Sequence, residues 1–269
     1  MAMTPSPLGR HLAGLQLIRL IGHGAVARVY LASDGSRLKA VKVFPARASD
    51  RARRELEFGA GLDHPNLNVV EQLLDLDGNP ALIMPFVRGT VLSGWLKSNT
   101  RLKDLLPVLA GITRALAHLA ERGLVHRDVK PENVIVGGDG SVTLVDYDLG
   151  TRSGEQDPVM AAGTPAFLNP EQAAGLPVTP ASDLYSLGVL AWWGLCREVP
   201  FSGDAAAVLQ AHRSQVPRKV SELRPEAAML DSLVAALLAK EPGERPGHGA
   251  VLQALSMSLA RLDGYNAGQ

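Results

Sequence analysis

Alternation of apolar and polar residues dominates the first eighty positions. Leu15-Gln-Leu-Ile-Arg-Leu-Ile21, Arg28-Val-Tyr-Leu31 and Leu38-Lys-Ala-Val-Lys-Val-Phe44 read as strands, with a glycine loop after the first and the turn Ser33-Asp34-Gly35-Ser36 after the second. They predict an antiparallel meander. Asp50 to Leu62 changes to a charged, helix-permissive stretch, and Asn66 to Met84 returns to two short strands around Asp77-Gly78-Asn79-Pro80. The expectation is a five-stranded sheet with one helix, preceded by a flexible leader over residues 1–14.

From Leu102 the period lengthens. Leu102, Leu105, Leu106, Leu109, Ile112, Leu116 and Leu119 recur at three- and four-residue spacing, a stripe wide enough for a helix to turn toward a core. A loop-rich stretch from Gly123 to Pro180 follows, holding the short apolar runs Asn133–Val136 and Val142–Val145 around Gly137-Gly-Asp-Gly140. Long irregular stretches inside a compact chain are usually functional. Helical patterns resume at Ala181–Cys196, Asp204–His212, Ala227–Lys240 and Gly249–Leu262. The shift from β-rich to α-rich near Pro85–Gly89 marks an internal boundary, with an N-terminal lobe over 15–87 and a larger one over 88–264.

Charge then narrows the partners. Lys and Arg number 27 against 27 Asp and Glu, so the chain lacks the basic surplus that phosphate-backbone binding draws on, and nucleic acid is not expected. With 46% hydrophobic and 20% charged residues, the chain is a folded globular one. The lone Cys196 cannot form an internal disulfide and points to a reducing, cytoplasmic setting. The longest apolar run, Leu187 to Cys196, is far short of the roughly 20 residues needed to cross a bilayer. Met1 to Gly14 carries prolines, Arg10 and His11 where a secretion signal needs an apolar stretch, so neither an export signal nor a membrane anchor is expected.

Three segments carry candidate chemistry. Gly22-His-Gly24-Ala-Val-Ala27-Arg-Val29 is a glycine hairpin whose backbone can approach phosphate oxygens. Lys42 sits among apolar residues in Ala40-Val-Lys-Val43. His126-Arg-Asp128-Val-Lys130-Pro-Glu-Asn133 and Asp146-Tyr-Asp148 lie in the loop-rich stretch. A carboxylate such as Asp128 can accept a proton, while Asn133 and Asp146 offer hard oxygen ligands suited to Mg²⁺.

Those last two motifs, with the hairpin and Lys42 before them in order, resemble the eukaryotic-like (Hanks-type) serine/threonine protein kinases, in their bacterial form and with the catalytic domain alone. The resemblance covers roughly Leu15 to Leu262. It implies an α+β, bilobal protein kinase-like fold over residues 15–264 and ATP and Mg²⁺ as cofactors, with Mn²⁺ as a substitute. It implies that Gly22, Gly24 and Val29 cover the phosphates, that Val29, Ala40, Met84 and Ile135 line the adenine site, and that Val87 makes main-chain hinge contacts. Lys42 would hold the α- and β-phosphates, aligned by Glu55 rather than Glu57 on spacing. Asp128 would be the catalytic base, Lys130 would stabilise the γ-phosphate, and Asn133 and Asp146 would hold the metal.

Further along, Gly163-Thr164-Pro-Ala-Phe-Leu-Asn169-Pro170-Glu171 resembles the end of an activation segment, where Thr164 would bond near Asp128 and Lys130. With Lys130, this looks like the serine/threonine branch. Asp183 would cap the catalytic loop, and Glu171 and Arg245 would form a buried structural ion pair.

Three positions depart from the family's pattern. Ala27 replaces the third glycine of the hairpin, and Pro85 stands where an acidic residue is usual; both are chemically permitted. Asp148 replaces a glycine, adds a carboxylate beside the metal site and restricts the backbone torsions there. Either Asp148 points away and the kinase works, or it perturbs metal binding, leaving a nucleotide-binding pseudokinase or low-activity scaffold. A small-molecule phosphotransferase is disfavoured by Thr164 and the segment before Glu171. Thr151 and Ser153 are the phosphate acceptors between Asp146 and Gly163 that could pair with Arg127, with Glu155 or Asp157 as fixed anions in their place. Trp192, Trp193 and Cys196 read as packing and His23 as an exposed hairpin residue. One catalytic module occupies nearly all of the 269 residues, so a regulatory protein partner or the activation segment is expected to supply the input.

Overall fold

The computed structural model describes residues 8–24, 26–99, 101–155 and 165–266, of which 264–266 by backbone alone. The chain forms two compact units. One holds the chain up to Asp63 together with Leu67–Arg88, and the other holds His64–Asn66 and the chain from Gly89 onward.

In the first unit, strands β1 (His11–Leu12), β2 (Leu15–His23), β3 (Arg28–Ser33), β4 (Leu38–Val43), β5 (Gln72–Leu76) and β6 (Asn79–Pro85) make an antiparallel sheet in the order β1-β2-β3-β4-β6-β5. The turns are set by local chemistry. Asp34 Oδ1 accepts from the N–H groups of Ser36 and Arg37 at 2.8 Å each, closing the β3–β4 connection. Asp77 and Gly78, at φ 53° and 80°, make the tight β5–β6 turn. Leu17, Tyr30, Ala32, Val41, Ala81 and Ile83 form the core of one sheet face.

That core also takes in Leu12, which is 7% exposed. The segment expected as a flexible leader therefore contributes a sixth strand from His11, because Leu12 gains a buried site by pairing opposite Leu15. Helix α1 runs Ser49–Gly59, shorter than the expected Asp50–Leu62, since Ala60 is extended and Gly61 is left-handed at φ 74°.

In the second unit, β7 (Thr90–Val91) leads into the short helix α2 (Leu92–Trp95), which the periodicity does not reveal, and then into α3 (Leu102–Glu121). The loop-rich region contains β8 (Leu124–Val125), β9 (Val134–Val136), β10 (Val142–Leu144) and β11 (Thr151–Arg152), paired as β10-β9-β7 and β11-β8. Helices α4 (Pro170–Ala174), α5 (Pro180–Cys196), α6 (Ala205–Ser214), α7 (Asp231–Leu237) and α8 (His248–Asn266) complete it.

The stripe on α3 is buried as its spacing requires: Leu105, Leu106, Leu109, Ile112, Leu116 and Leu119 are all at most 3% exposed. Gly111 lets α3 meet β10, for a Cβ there would lie 2.8 Å from Val142 Cβ. Asn66 belongs to this unit because its Nδ2 donates to Val142 C=O at 2.6 Å and its own C=O accepts from Leu144 N–H at 2.9 Å. This explains why the first of the two strands expected in 66–84 begins only at Gln72.

The helix expected over Ala227–Lys240 is divided. Pro225–Leu230 turns as a 3₁₀ segment and α7 ends at Leu237, since the carbonyls of Ala239 and Lys240 turn to the Arg245 guanidinium, each at 2.9 Å. Among the described residues no helix is long and apolar enough to cross a membrane.

Candidate active site

Each unit gathers a set of the residues singled out by sequence. In the first, Lys42 on β4 lies opposite Val29 on β3 and Leu82 on β6, and Ala40 lies opposite Leu31 and Met84. Residues directly opposite, and residues two apart on one strand, share a sheet face. Val29, Ala40, Lys42 and Met84 therefore occupy one face.

Lys42 Nζ donates to both Glu55 oxygens at 2.9 and 2.6 Å, and the two side chains are 8% and 0% exposed. Glu57, the alternative on the same helix, is exposed. The Lys42 ammonium group lies 5.2 Å from the centroid of the Phe44 ring.

Gly24 N–H donates to Ala27 C=O at 2.9 Å, closing the hairpin. A Cβ at Gly22 or Gly24 would meet nothing nearer than 3.7 Å, and neither residue is among those with positive φ. The fold itself does not demand glycine at either place, which leaves close approach of something outside the chain as the physical use for them. His23 is exposed and Ala27 buried. Pro85 C=O accepts from Asn68 Nδ2 at 3.3 Å, and Val87 is half-buried.

In the second unit, Asp128 Oδ2 accepts from Lys130 Nζ at 2.7 Å and from Asn133 Nδ2 at 2.8 Å, and Asn133 Nδ2 also donates to Asp128 C=O at 2.9 Å. Oδ1 of Asp128 has no hydrogen-bond partner among the described residues. With its Nδ2 engaged twice, Asn133 has its amide oxygen left as the group able to meet a cation. Val145 N–H donates to Asn133 C=O at 2.9 Å, tying the residue before Asp146 to the same loop. Ile135 lies on β9 opposite Thr143 and Val91.

His126, Asp183 and Gln172 support this loop, Asp183 from the capping position expected for it and the other two without a role assigned to them by sequence. His126 is fully buried, its ring meets Tyr147 edge-on at 5.6 Å, and burial pushes its pKa below the ordinary 6.5. Its Nδ1 accepts from Asp128 N–H at 3.3 Å, so the neutral ring carries its proton on Nε2. Asp183 on α5 accepts from the N–H groups of His126 and Arg127 at 2.7 and 2.8 Å. Burial pushes the Asp183 carboxyl up to about 7, against the pull of those donors and of Arg127. Gln172 Nε2 donates to Arg127 C=O at 3.1 Å, a contact that no local pattern announces.

Two non-glycine residues of this region are left-handed, Arg127 at φ 67° and Asp146 at φ 72°. Asp148 is not among the positive-φ residues, so the backbone restriction expected there is instead met at Asp146. Asp148 N–H donates to Asp146 Oδ1 at 3.4 Å.

Arg245 and Glu171 make a buried pair at 2.6 Å, with side chains 0% and 6% exposed. Thr151 Oγ1 donates to Glu155 at 2.6 Å, and Ser153 is exposed. Trp192 is buried, Trp193 packs edge-on to Phe167 at 6.3 Å, and burial pushes the half-buried Cys196 thiol up to about 11. Thr164 and Asp157 lie outside the described residues.

The donor chemistry can be tested against a metal. Asn133 and Asp146 offer two hard oxygen donors, and among the described residues no group of three or more His, Cys, Asp and Glu could hold an ion. Two protein oxygens suit Mg²⁺ or Mn²⁺, which keep waters and phosphate oxygens, and do not suit a closed zinc cage.

Comparison with known proteins places these groups in context. The family described as protein kinase domain matches residues 15–257. The chain is 34% identical to serine/threonine-protein kinase PknJ of Mycobacterium tuberculosis, the match covering 88% of this chain and 44% of PknJ. It is 30% identical to serine/threonine-protein kinase PrkC of Bacillus subtilis over 88% of this chain and 39% of PrkC. It is 32% identical to the PknA kinase of Corynebacterium glutamicum over 93% of this chain and 57% of PknA. The chain thus spans about half, or less, of the length of these relatives.

Proposed function

Because this chain belongs to the protein kinase domain family, we propose that it transfers the γ-phosphate of ATP to serine or threonine hydroxyls of proteins, with Asp128 as the base. The observation that carries this reading is the state of Asp128: Lys130 and Asn133 both engage Oδ2, while Oδ1 has no partner among the described residues. A carboxylate held by one oxygen keeps the other oriented to take the proton of an acceptor hydroxyl. Lys130 stays within 2.7 Å, balancing the charge of Asp128 until the proton moves and standing as a point charge for phosphate oxygens.

Lys42 is the phosphate ligand of the first unit. Its bidentate pair with Glu55 sets the position of the ammonium group. Val29, Ala40 and Met84 supply an apolar face beside it for the adenine, with Ile135 and the main chain at Val87 as further contacts. Gly22 and Gly24 allow the hairpin backbone to approach phosphate oxygens. Asn133 and Asp146 would hold Mg²⁺, which when bound neutralises phosphate charge. Thr164 is assigned to orient Asp128 and Lys130.

Selection of serine and threonine follows from the lysine two residues after Asp128. The ordinary backbone at Asp148 supports a working site over a pseudokinase. A cytoplasmic setting rests on the lone cysteine, and the protein substrates and any regulatory partner belong to the same proposal.

The decisive assay follows transfer from labelled ATP with Mg²⁺. Asp128→Asn removes the proton acceptor and should lower the rate about 10²–10⁴-fold, the usual span of general-base catalysis. Lys42→Met should abolish transfer at low ATP. Incorporation insensitive to both substitutions would reject the mechanism.

A further inference from the structure

The groups assigned to ATP and acceptor leave one concave feature of the first unit unused. A cavity of about 430 Å³ lies where β3, the end of β4 and the β5–β6 turn meet, bordered by Arg10, Arg28, Arg47, Tyr30, Phe44 and Asp77. Its size falls within the range of about 300–1,000 Å³ over which small ligands are bound.

Its charge is unusual for a chain of zero net charge. Three guanidinium groups reach it from three separate segments: Arg10 before β1, Arg28 at the start of β3, and Arg47 after Pro45. Arg10 is neutralised by the Asp77 carboxylate. Arg28 and Arg47 have neither an ion pair nor a side-chain hydrogen bond among the described residues. Two positive charges therefore border one cavity without compensation. Tyr30 is 4% exposed, and its phenol has no hydrogen-bond partner among the described residues. The rest of the wall is Asn79 together with the apolar side chains of Val26, Val43, Pro45, Leu76 and the fully buried Phe44.

Two surface arginines alone would be an ordinary solvated face. Here they share a concavity with a tyrosine hydroxyl that has no partner among the described residues and with a group of apolar side chains, so that a few polar groups converge beside an apolar surface as in small-molecule sites. We infer that this cavity binds a phosphomonoester dianion carried on an apolar or aromatic carbon group. A dianion matches the two uncompensated charges, whereas a monocarboxylate leaves one over. Guanidinium forks pair bidentately with phosphate oxygens, and Tyr30 adds a hydroxyl donor. The apolar side chains take the carbon part. The phosphate could be borne by a phosphorylated side chain of a protein or by a free metabolite; the chemistry read by the cavity is the same.

Calorimetric titration of the full chain with phenyl phosphate tests this. Saturable one-to-one binding is expected, weaker for benzoate, and falling as pH is lowered through about 6, where a phosphomonoester loses its second charge. Arg28→Ala and Arg47→Ala should each weaken binding about tenfold or more, since a hydrogen bond to a charged group contributes at least the roughly 1.4 kcal/mol that corresponds to tenfold. Both arginines are exposed, so the unfolding midpoints of these variants should match the parent. Lys42→Met should retain phenyl phosphate binding, which separates this cavity from the nucleotide assignment.

A phosphothreonine peptide that binds tighter than free phosphothreonine would assign the ligand to a protein, and equal affinities would assign it to a metabolite. The inference is overturned by an absence of saturable binding, by benzoate binding as tightly, or by binding that survives Arg28→Ala/Arg47→Ala and is lost in Lys42→Met.

Discussion

Replacing Arg245 with methionine should be among the most damaging single changes outside the catalytic loop. The guanidinium has five N–H donors, and all five are used. Nε donates to Ala239 C=O at 2.9 Å; Nη1 donates to Glu171 at 3.1 Å and to Ala181 C=O at 2.8 Å; Nη2 donates to Glu171 at 2.6 Å and to Lys240 C=O at 2.9 Å. The Arg245 side chain is fully buried and its Cζ lies 5.0 Å from the Tyr185 ring centroid. Methionine would occupy similar space but leave the buried Glu171 carboxylate uncompensated and take a donor from three part-buried carbonyls.

Removing one partner of a buried pair costs about 3–5 kcal/mol, mostly through the charge left behind. Against a total stability of about 5–15 kcal/mol, that is a large fraction. At roughly 2–4 °C per kcal/mol for a domain of this size, the melting temperature should fall by about 6–20 °C. Urea unfolding followed by circular dichroism measures the free energy directly.

Adding Glu171→Gln to the methionine variant removes the stranded charge, so the double variant should recover about 1–3 kcal/mol of the loss. Arg245→Lys should fall between, because an ammonium group has three donors for five acceptor positions. The reasoning is refuted if Arg245→Met unfolds within about 1 kcal/mol of the parent, less than the lower bound for breaking such a pair.

Three further outcomes follow from the same structure. Burial pushes His212 down to about 4 from 6.5, so below pH 6.5 the unfolded chain takes a proton that the folded chain refuses; its contribution of about 3 kcal/mol, fully present above pH 6.5, is lost as pH falls toward 4. Asp183, pushed up to about 7, acts in the opposite sense over the same window, so the measurement is the difference in urea stability between parent and His212→Gln from pH 7 to 5, and parallel curves would sink it. Gly111→Ala should cost about 1–3 kcal/mol because its Cβ would sit 2.8 Å from Val142 Cβ, and a melting temperature equal to the parent's would show that α3 can shift freely. Leu12→Ala should cost about 2 kcal/mol, at the low end for buried leucine, whereas a flexible leader would give no change.

Local pattern carried much of the fold. Strands β2 to β4 follow from alternation and from Asp34 and Gly35, and α3 follows from a stripe whose members are all buried, because in both cases the deciding contacts lie within a few residues or on one face. The features that escaped depend on distant partners. Residues 66–71 look strand-like, yet Asn66 is claimed by Val142 and Leu144. The helical pattern of 227–240 is cut short by Arg245, whose need for carbonyls no periodicity encodes. In the candidate site, the residue types were legible through their resemblance to a family. The oxygen of Asp128 that is engaged, the tautomer of His126 and the support from Gln172 depend on side-chain geometry that a string of letters does not contain.

The placement of backbone strain shows how this geometry is kept. Arg127 and Asp146 both occupy a left-handed conformation that a non-glycine residue adopts at a cost of order 1–3 kcal/mol each, and each adjoins a functional position. Arg127 is held from two sides: its N–H by the buried Asp183 carboxylate, and its C=O by Gln172. Gln172 is in turn fixed by Asn169, whose Oδ1 accepts from Gln172 N–H at 2.9 Å at the start of α4, the helix that also bears Glu171. The same short helix thus receives the Arg245 pair and supports the carbonyl immediately before Asp128. Loss of Arg245 should therefore reach beyond stability: with Glu171 unanchored, α4 can shift, Gln172 can leave Arg127, and the strained peptide before Asp128 can relax. A stable variant with a loosened α4, such as Gln172→Ala, should lower the turnover rate more than the affinity for ATP, because what it disturbs is the direction of the Asp128 oxygen and not the groups that hold the nucleotide.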